Sequence, residues 1–351
     1  MSARPLHGGR LQEAARRYGI DPAAWMDLST GINPQPWPVP PVPQSVWQRL
    51  PEDDDGLEAA AAAFYGSDAL LPLAGSQAAI QLLPVLFPRS RVAILSPTYN
   101  EHPHGWIQAG HAVRAVAPAE VESAVDTVDV LLLVQPNNPC GTLFPPAQVM
   151  AWQARLAARG GTLIVDEAFI DATPDASVVQ HAGRPGLVVL RSLGKFFGLA
   201  GARVGFMFAE QSLRDALALK LGPWPVAGPS RWVAQRALVD RDWQAAQRAR
   251  LATEGARLEA LLRAAGWGEV SGCGLFQRVL TKDAAALHEA FCRRGILLRL
   301  FDAPAALRFG LPADEGEWRR LEQAMDEVAA DGRGAAHSPV GAAPSPRRGL
   351  R

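Results

Sequence analysis

Apolar runs of strand length recur along the chain: RVAILS at 91 to 96, DVLLLV at 129 to 134, TLIVD at 162 to 166 and LVVLR at 187 to 191. Their near-continuous β-branched and leucine character predicts strands buried on both faces, and the helical patterns between them predict crossovers. The fold class is therefore α/β, a mostly parallel central sheet flanked by helices. PPAQVMAWQARLAARGG is punctuated as such a crossover helix should be, with prolines at its start and Gly160 and Gly161 after its end. Residues 1–50 differ. A short amphipathic segment, GRLQEAARRYG, precedes INPQPWPVPPVP, whose prolines forbid regular helix and favour an extended arm laid over a larger body. From about residue 230 the pattern turns to long charged helices and then to short strands around 274 to 280 and 295 to 300, which predicts a smaller α+β domain. The expected division is an arm at 1–50, a large domain at 51–230, a small domain at 231–330 and a disordered tail at 331–351, where apolar periodicity is lost.

Composition removes several classes of partner. Lys plus Arg equals Asp plus Glu at 35 each, so no global field draws the protein to nucleic acid or to an anionic membrane. Any phosphate must be met by local groups. Cys140, Cys273 and Cys292 lie far apart without metal-ligand spacing, which predicts neither a disulfide framework nor a metal site. The N-terminal stretch lacks the apolar core of a secretory signal, and no run approaches the roughly 20 apolar residues that span a bilayer. A cytoplasmic protein is the expectation.

In open parallel sheets a ligand sits beyond the carboxyl ends of the strands, so the residues after each run are where chemistry should collect. RSLGKFFGLAGARVG, Arg191 to Gly205, places Lys195 between a hydroxyl, Ser192, and a guanidinium, Arg203, in a glycine-rich setting. A hydroxyl and a guanidinium can share one phosphate while the amine reaches a carbonyl carbon nearby. Pyridoxal 5'-phosphate has both groups. The strand in TLIVDEAF ends on Asp166, an acid at a depth that needs a partner, and a protonated pyridine nitrogen would supply one; a strand-end cap is an equal reading. Asn138, in QPNNPCG, could offer an amide to a phenolic oxygen, although those residues alone read as a turn. Tyr99 could stack on the ring and His102 could support Asp166 from behind, whereas singly each reads as packing. Gly75, Ser76 and Gln77 open a helical pattern whose free amides favour a phosphate. It is the ordered set that points to one cofactor site.

That set resembles the aspartate aminotransferase superfamily, the type I fold of pyridoxal phosphate enzymes, over most of residues 7 to 325. The resemblance implies that Lys195 is the catalytic lysine and that Arg308 holds the substrate's α-carboxylate. It also implies that Arg299 holds a substrate phosphate, as in the branch handling histidinol phosphate and threonine phosphate. His7 and Asn33, in the arm, and Asn138 would join them around the substrate. HGG at 7 to 9, DLSTGINP, DEAFID with Phe169 in place of a common tyrosine, and PWPVAGPSRWVAQRALVDRDW are similar to the members that decarboxylate threonine phosphate in cobalamin synthesis. Amino transfer with histidinol phosphate is the alternative. A homodimer is implied, with Phe64 or Tyr65 reaching across to the neighbour's phosphate. Three departures stand out: Gly31 replaces an asparagine, Gly194 replaces a hydroxyl residue, and Gln77 is uncommon in the phosphate cup.

Overall fold

The structure, a computed structural model, describes residues 8–336. His7 and residues 337–351 of the expected tail lie outside the described residues. Strand β1 (Met26–Asp27) belongs to the arm. Then come β2 (Leu70–Leu73), β3 (Arg91–Leu95), β4 (Ala112–Val116), β5 (Val130–Val134), β6 (Thr162–Asp166), β7 (Leu187–Ser192) and β8 (Gly205–Phe208), which form a seven-stranded sheet ordered β2-β8-β7-β6-β5-β3-β4. The strands from β7 to β4 in this order are parallel to one another, and β8 runs antiparallel to both β7 and β2. A second, antiparallel sheet holds β9 (Glu269–Cys273), β10 (Phe276–Leu280), β12 (Arg299–Asp302) and β13 (Ala305–Gly310), while β11 (Ile296–Leu297) pairs with β1.

The apolar runs are buried on both sheet faces, as their composition demands. Val130, Leu132 and Val134 pack into one core, whereas Leu131 and Leu133 pack into the other with Leu163, Val165 and Val189. This second core continues through Phe276 and Phe309 of the smaller sheet. Four strands escape the sequence pattern for separate reasons. β2 contains Pro72 and survives as an edge strand bonded to β8 alone, where a missing N–H can be tolerated. β4 is the other edge and is largely exposed. β8 is four residues long and follows a glycine-rich turn, and β9, EVSGC, has neither an apolar run nor alternation. The last helix, Glu315–Ala336, runs past residue 331, so the first part of the expected tail is helical.

The arm carries helix Leu11–Tyr18 and then an irregular crossing at residues 31–43. Met26 and Leu28 donate to the carbonyls of Gly295 and Leu297, Gly310 donates to Leu28, and Trp37 donates to Phe197 beside the lysine turn. The arm therefore joins the small sheet to the end of β7.

Behind the site, Arg191 is buried and bonds Glu167 and Asp171, each at 2.6 Å, with its guanidinium 4.5 Å from the Tyr65 ring. Removing it strands two buried carboxylates. Arg191→Leu is expected to lower unfolding free energy by about 3–5 kcal/mol, read by urea denaturation, and a loss below about 1 kcal/mol would contradict this account.

Candidate active site

The lysine turn is built by local geometry at the end of β7. Gly198 has φ 69°, and a Cβ there would lie 2.7 Å from Pro36 of the arm, so glycine lets the two backbones touch. Lys195 is carried into a cavity of about 650 Å³, which is lined by Ser76, Gln77, Tyr99, Asn138, Asp166, Ser192 and Arg203 as well. Thus every expected cofactor residue except Gly75 lines one space. Burial lowers Lys195 to about 8, with Arg308 and Arg203 adding to the effect and Asp166 opposing it. A neutral amine is accessible near physiological pH. Its Nζ sits 5.3 Å from the centre of the Phe169 ring.

Asp166 closes β6 with its side chain buried. His102 Nε2 lies 2.8 Å from Oδ2, and the Ala168 N–H donates to Oδ1 at 3.0 Å. The anticipated support of Asp166 by His102 is therefore present. Across the cavity, Gly75 is the residue before helix Ser76–Leu82 and adopts φ 77°. A Cβ on Gly75 would lie 2.8 Å from the Arg203 guanidinium, and one on Gly205 would lie 2.5 Å from the Ser76 nitrogen. Two glycines thus let a guanidinium and free amides converge, with the Ser192 hydroxyl lining the same cavity. Gly194 has little room for a larger residue: its Cβ would stand 3.3 Å from Ala200 and from Ser192 Oγ, which accepts the Gly194 N–H.

These groups fit pyridoxal phosphate chemically: an amine of lowered pKa, a buried acid backed by an imidazole, an aromatic ring and a cationic cup beside a helix start. Gln77 is placed differently from a simple cup residue. Its Oε1 accepts the Tyr99 hydroxyl at 3.1 Å and its Nε2 donates to Glu101 at 3.1 Å, so it tethers the aromatic ring. Burial, with Glu101 and Asp166 nearby, raises Tyr99 to about 12 and keeps it a donor. Glu101 was not anticipated, because a helix-starting acid in a sequence gives no sign of what its side chain meets.

A smaller cavity of about 230 Å³ shares Tyr99, Asn138 and Lys195 with the first and adds Arg299 and Arg308. Arg308 is buried on β13, donates to Asn138 Oδ1 and to the Ser29 carbonyl, and keeps a buried Nε without a partner among the described residues. Burial and the neighbouring Arg299 lower it to about 10. Arg299 is shifted down as well, chiefly by burial. Two guanidiniums disfavoured by their surroundings make a place that gains from anions.

Two placements, those of Asn33 and Tyr65, differ from expectation. Asn33 lines neither cavity; its amide is engaged by Phe196, Gln247, Gln35 and Arg250. Tyr65 is buried against Phe206 and Phe208, because its ring completes the core under the sheet, and cannot reach outward. Phe64 packs on Phe197 beneath the Arg241 and Arg248 guanidiniums. Gly31 is explained by packing: it has φ 61°, and a Cβ would lie 3.2 Å from Phe276 and 3.5 Å from Phe169.

Comparison with known proteins places the chain in a family. Residues 25–321 match the family described as aminotransferase class I and II. The chain is 59% identical to a threonine-phosphate decarboxylase of Pseudomonas aeruginosa, covering 91% of this chain and 96% of that one. It is 46% identical to a threonine-phosphate decarboxylase of Sinorhizobium sp, over 93% and 98% of the two chains. Among solved structures, a histidinol-phosphate aminotransferase from Sinorhizobium meliloti in complex with pyridoxal-5'-phosphate superposes with a TM-score of 0.79 at 21% identity, covering 94% of this chain and 96% of that one.

The lowered Lys195 has a consequence for stability. Its folded value of about 8 lies below the ordinary 10.5, so the unfolded chain binds more protons between those values and the cofactor-free protein gains stability as pH rises through them. Lys195→Met abolishes that gain. The variant is expected to melt higher than the parent below pH 8, with the difference shrinking toward pH 10; a difference independent of pH would refute the assignment.

Proposed function

The chain belongs to the aminotransferase class I and II family, and from that premise we propose that it decarboxylates L-threonine O-3-phosphate to (R)-1-aminopropan-2-yl phosphate in cobalamin synthesis, using pyridoxal 5'-phosphate. The observation that carries the reading is the small cavity lined by Lys195 and by Arg299 and Arg308, which are opposite each other on neighbouring strands, a place for a short substrate with two anionic groups. Decarboxylation is preferred over amino transfer because the relatives at 59% and 46% identity, matched over nearly their whole length, are threonine-phosphate decarboxylases.

Ser76, Gln77, Ser192 and Arg203 would hold the cofactor phosphate, and Asp166, backed by His102, would keep the proton on the pyridine nitrogen. Bound there, the cofactor supplies an electron sink for the pair left when a bond to the substrate's α-carbon breaks. Arg308, fixed by Asn138 and the Ser29 carbonyl, would take the substrate carboxylate, and its unpartnered Nε is a further donor. Arg299 would take the phosphate; His7, expected beside it, lies outside the described residues. Once carbon dioxide has left, Lys195 would return a proton to the α-carbon, a role suited to a group divided between amine and ammonium near pH 8. The arm at 1–50 and the small domain at 231–330 would supply the wall of the substrate cavity facing the large domain at 51–230, as Thr30, Ile32, Arg299 and Phe301 in its lining suggest.

Purified protein is expected to release carbon dioxide from threonine phosphate without any keto acid. Glutamate formation dependent on histidinol phosphate and 2-oxoglutarate, with no carbon dioxide, would overturn the reading in favour of amino transfer. We further propose a cytoplasmic homodimer; among the described residues no helix is long and apolar enough to cross a membrane. Sedimentation velocity should give twice the chain mass of 37.5 kDa, and a stable active monomer would rule the dimer out.

A further inference from the structure

We propose that Asn33 is a positioning residue for Lys195: its side chain is a fully used four-way junction that straps the arm onto the lysine turn. An asparagine amide offers two donors and two acceptor sites. Here Nδ2 donates to the Phe196 carbonyl at 2.8 Å and to Gln247 Oε1 at 3.3 Å, while Oδ1 accepts the Gln35 N–H at 3.0 Å and the Arg250 guanidinium. The residue is 2% exposed, so water cannot replace any of these partners. Its backbone N–H adds a further bond, to the Lys195 carbonyl at 3.0 Å, and Trp37 donates to the Phe197 carbonyl at 2.9 Å.

The carbonyls of three consecutive residues, Lys195, Phe196 and Phe197, are thereby held by one stretch of the arm. Only an amide satisfies all four directions. Aspartate would set an oxygen against the Phe196 carbonyl, and an apolar side chain would leave that carbonyl buried and unpaired. No capacity remains for a substrate phosphate. Asn33 therefore acts on the reaction through the backbone that carries Lys195, whose amine faces Asp166 from β6, Arg203 from the following turn and Arg308 from β13.

The inference rests on Lys195 being the cofactor lysine, and the test separates the two. Cofactor-free wild type, Asn33→Ala, Arg250→Met and Lys195→Ala are mixed with pyridoxal 5'-phosphate over a range of pH, borohydride is added, and covalent capture is measured by mass spectrometry. Wild-type capture is expected to rise with a midpoint near pH 8. In Asn33→Ala the loosened turn lets the ammonium reach water, so the midpoint moves upward toward 10.5, and in the loaded enzyme kcat falls about tenfold or more while KM changes less than about threefold. Arg250→Met removes one of the four partners from outside both cavities and should move the same readouts in the same direction, and it serves if Asn33→Ala does not fold. An unmoved midpoint in folded variants, or a raised KM for threonine phosphate with unchanged kcat, would overturn the positioning role. Capture by Lys195→Ala at the wild-type level would instead defeat the reading of the site itself.

Discussion

The guanidinium of Arg191 joins the ends of two neighbouring strands where the chemistry begins. It stands near the end of β7, four residues before Lys195, and its partner Glu167 follows Asp166 at the end of β6. Its second partner, Asp171, lies in the short turn after Phe169. Glu167 also accepts the Ser177 hydroxyl and the Val178 N–H, so the carboxylate is matched on both oxygens. Ions at such depth persist when geometry is good and most of their hydrogen-bonding capacity is used; here only Asp171 Oδ2 and Arg191 Nε in the cluster lack a partner among the described residues. The acid and the amine that must face one cofactor are consequently spaced by a buried ion cluster behind the sheet, away from solvent and away from ligand exchange.

In front of the sheet the balance is reversed. Lys195, Arg203, Arg299 and Arg308 outnumber Asp166, and the amine and two of the three guanidiniums are pushed down by burial. The protein holds cationic groups in a place that disfavours their charge, which is sustainable when anionic ligands complete the site. The near-zero net charge of the whole chain hides this, because the rest of the sequence carries the matching surplus of acidic side chains.

The parallel sheet and cofactor set were legible because each element advertises itself locally. A doubly buried strand must be apolar throughout, and Asp166, Lys195 and Asn138 each follow such a run. The edge strands β2 and β4 were not legible, since an edge relaxes the demand for burial and for donors. Asn33 and Tyr65 mark a different boundary. Their residue types fit several roles, and the role was decided by partners from distant parts of the sequence: Arg250 and Gln247 for one, Phe206 and Phe208 for the other. Gln77 likewise is an odd cup residue in the sequence alone, because its ties to Tyr99 and Glu101 exist only in the fold.

The arm has one more consequence, for the order in which the molecule can be made. Three of its buried residues leave the ribosome before their distant partners exist: Met26 pairs with Ile296, Leu28 is bonded by Gly310, and Trp37 meets Phe197 and Asp240. Contacts so distant in sequence carry the largest chain-closure cost and form late. An early segment is then fixed late: Met26 and Leu28, buried in the fold, lack their strand partners until residues 295–310 have been made, and Trp37 waits for residues 197–240. The prolines of INPQPWPVPPVP suit that wait, because a segment with few backbone donors offers a poor template for adventitious strand pairing while the rest of the chain emerges.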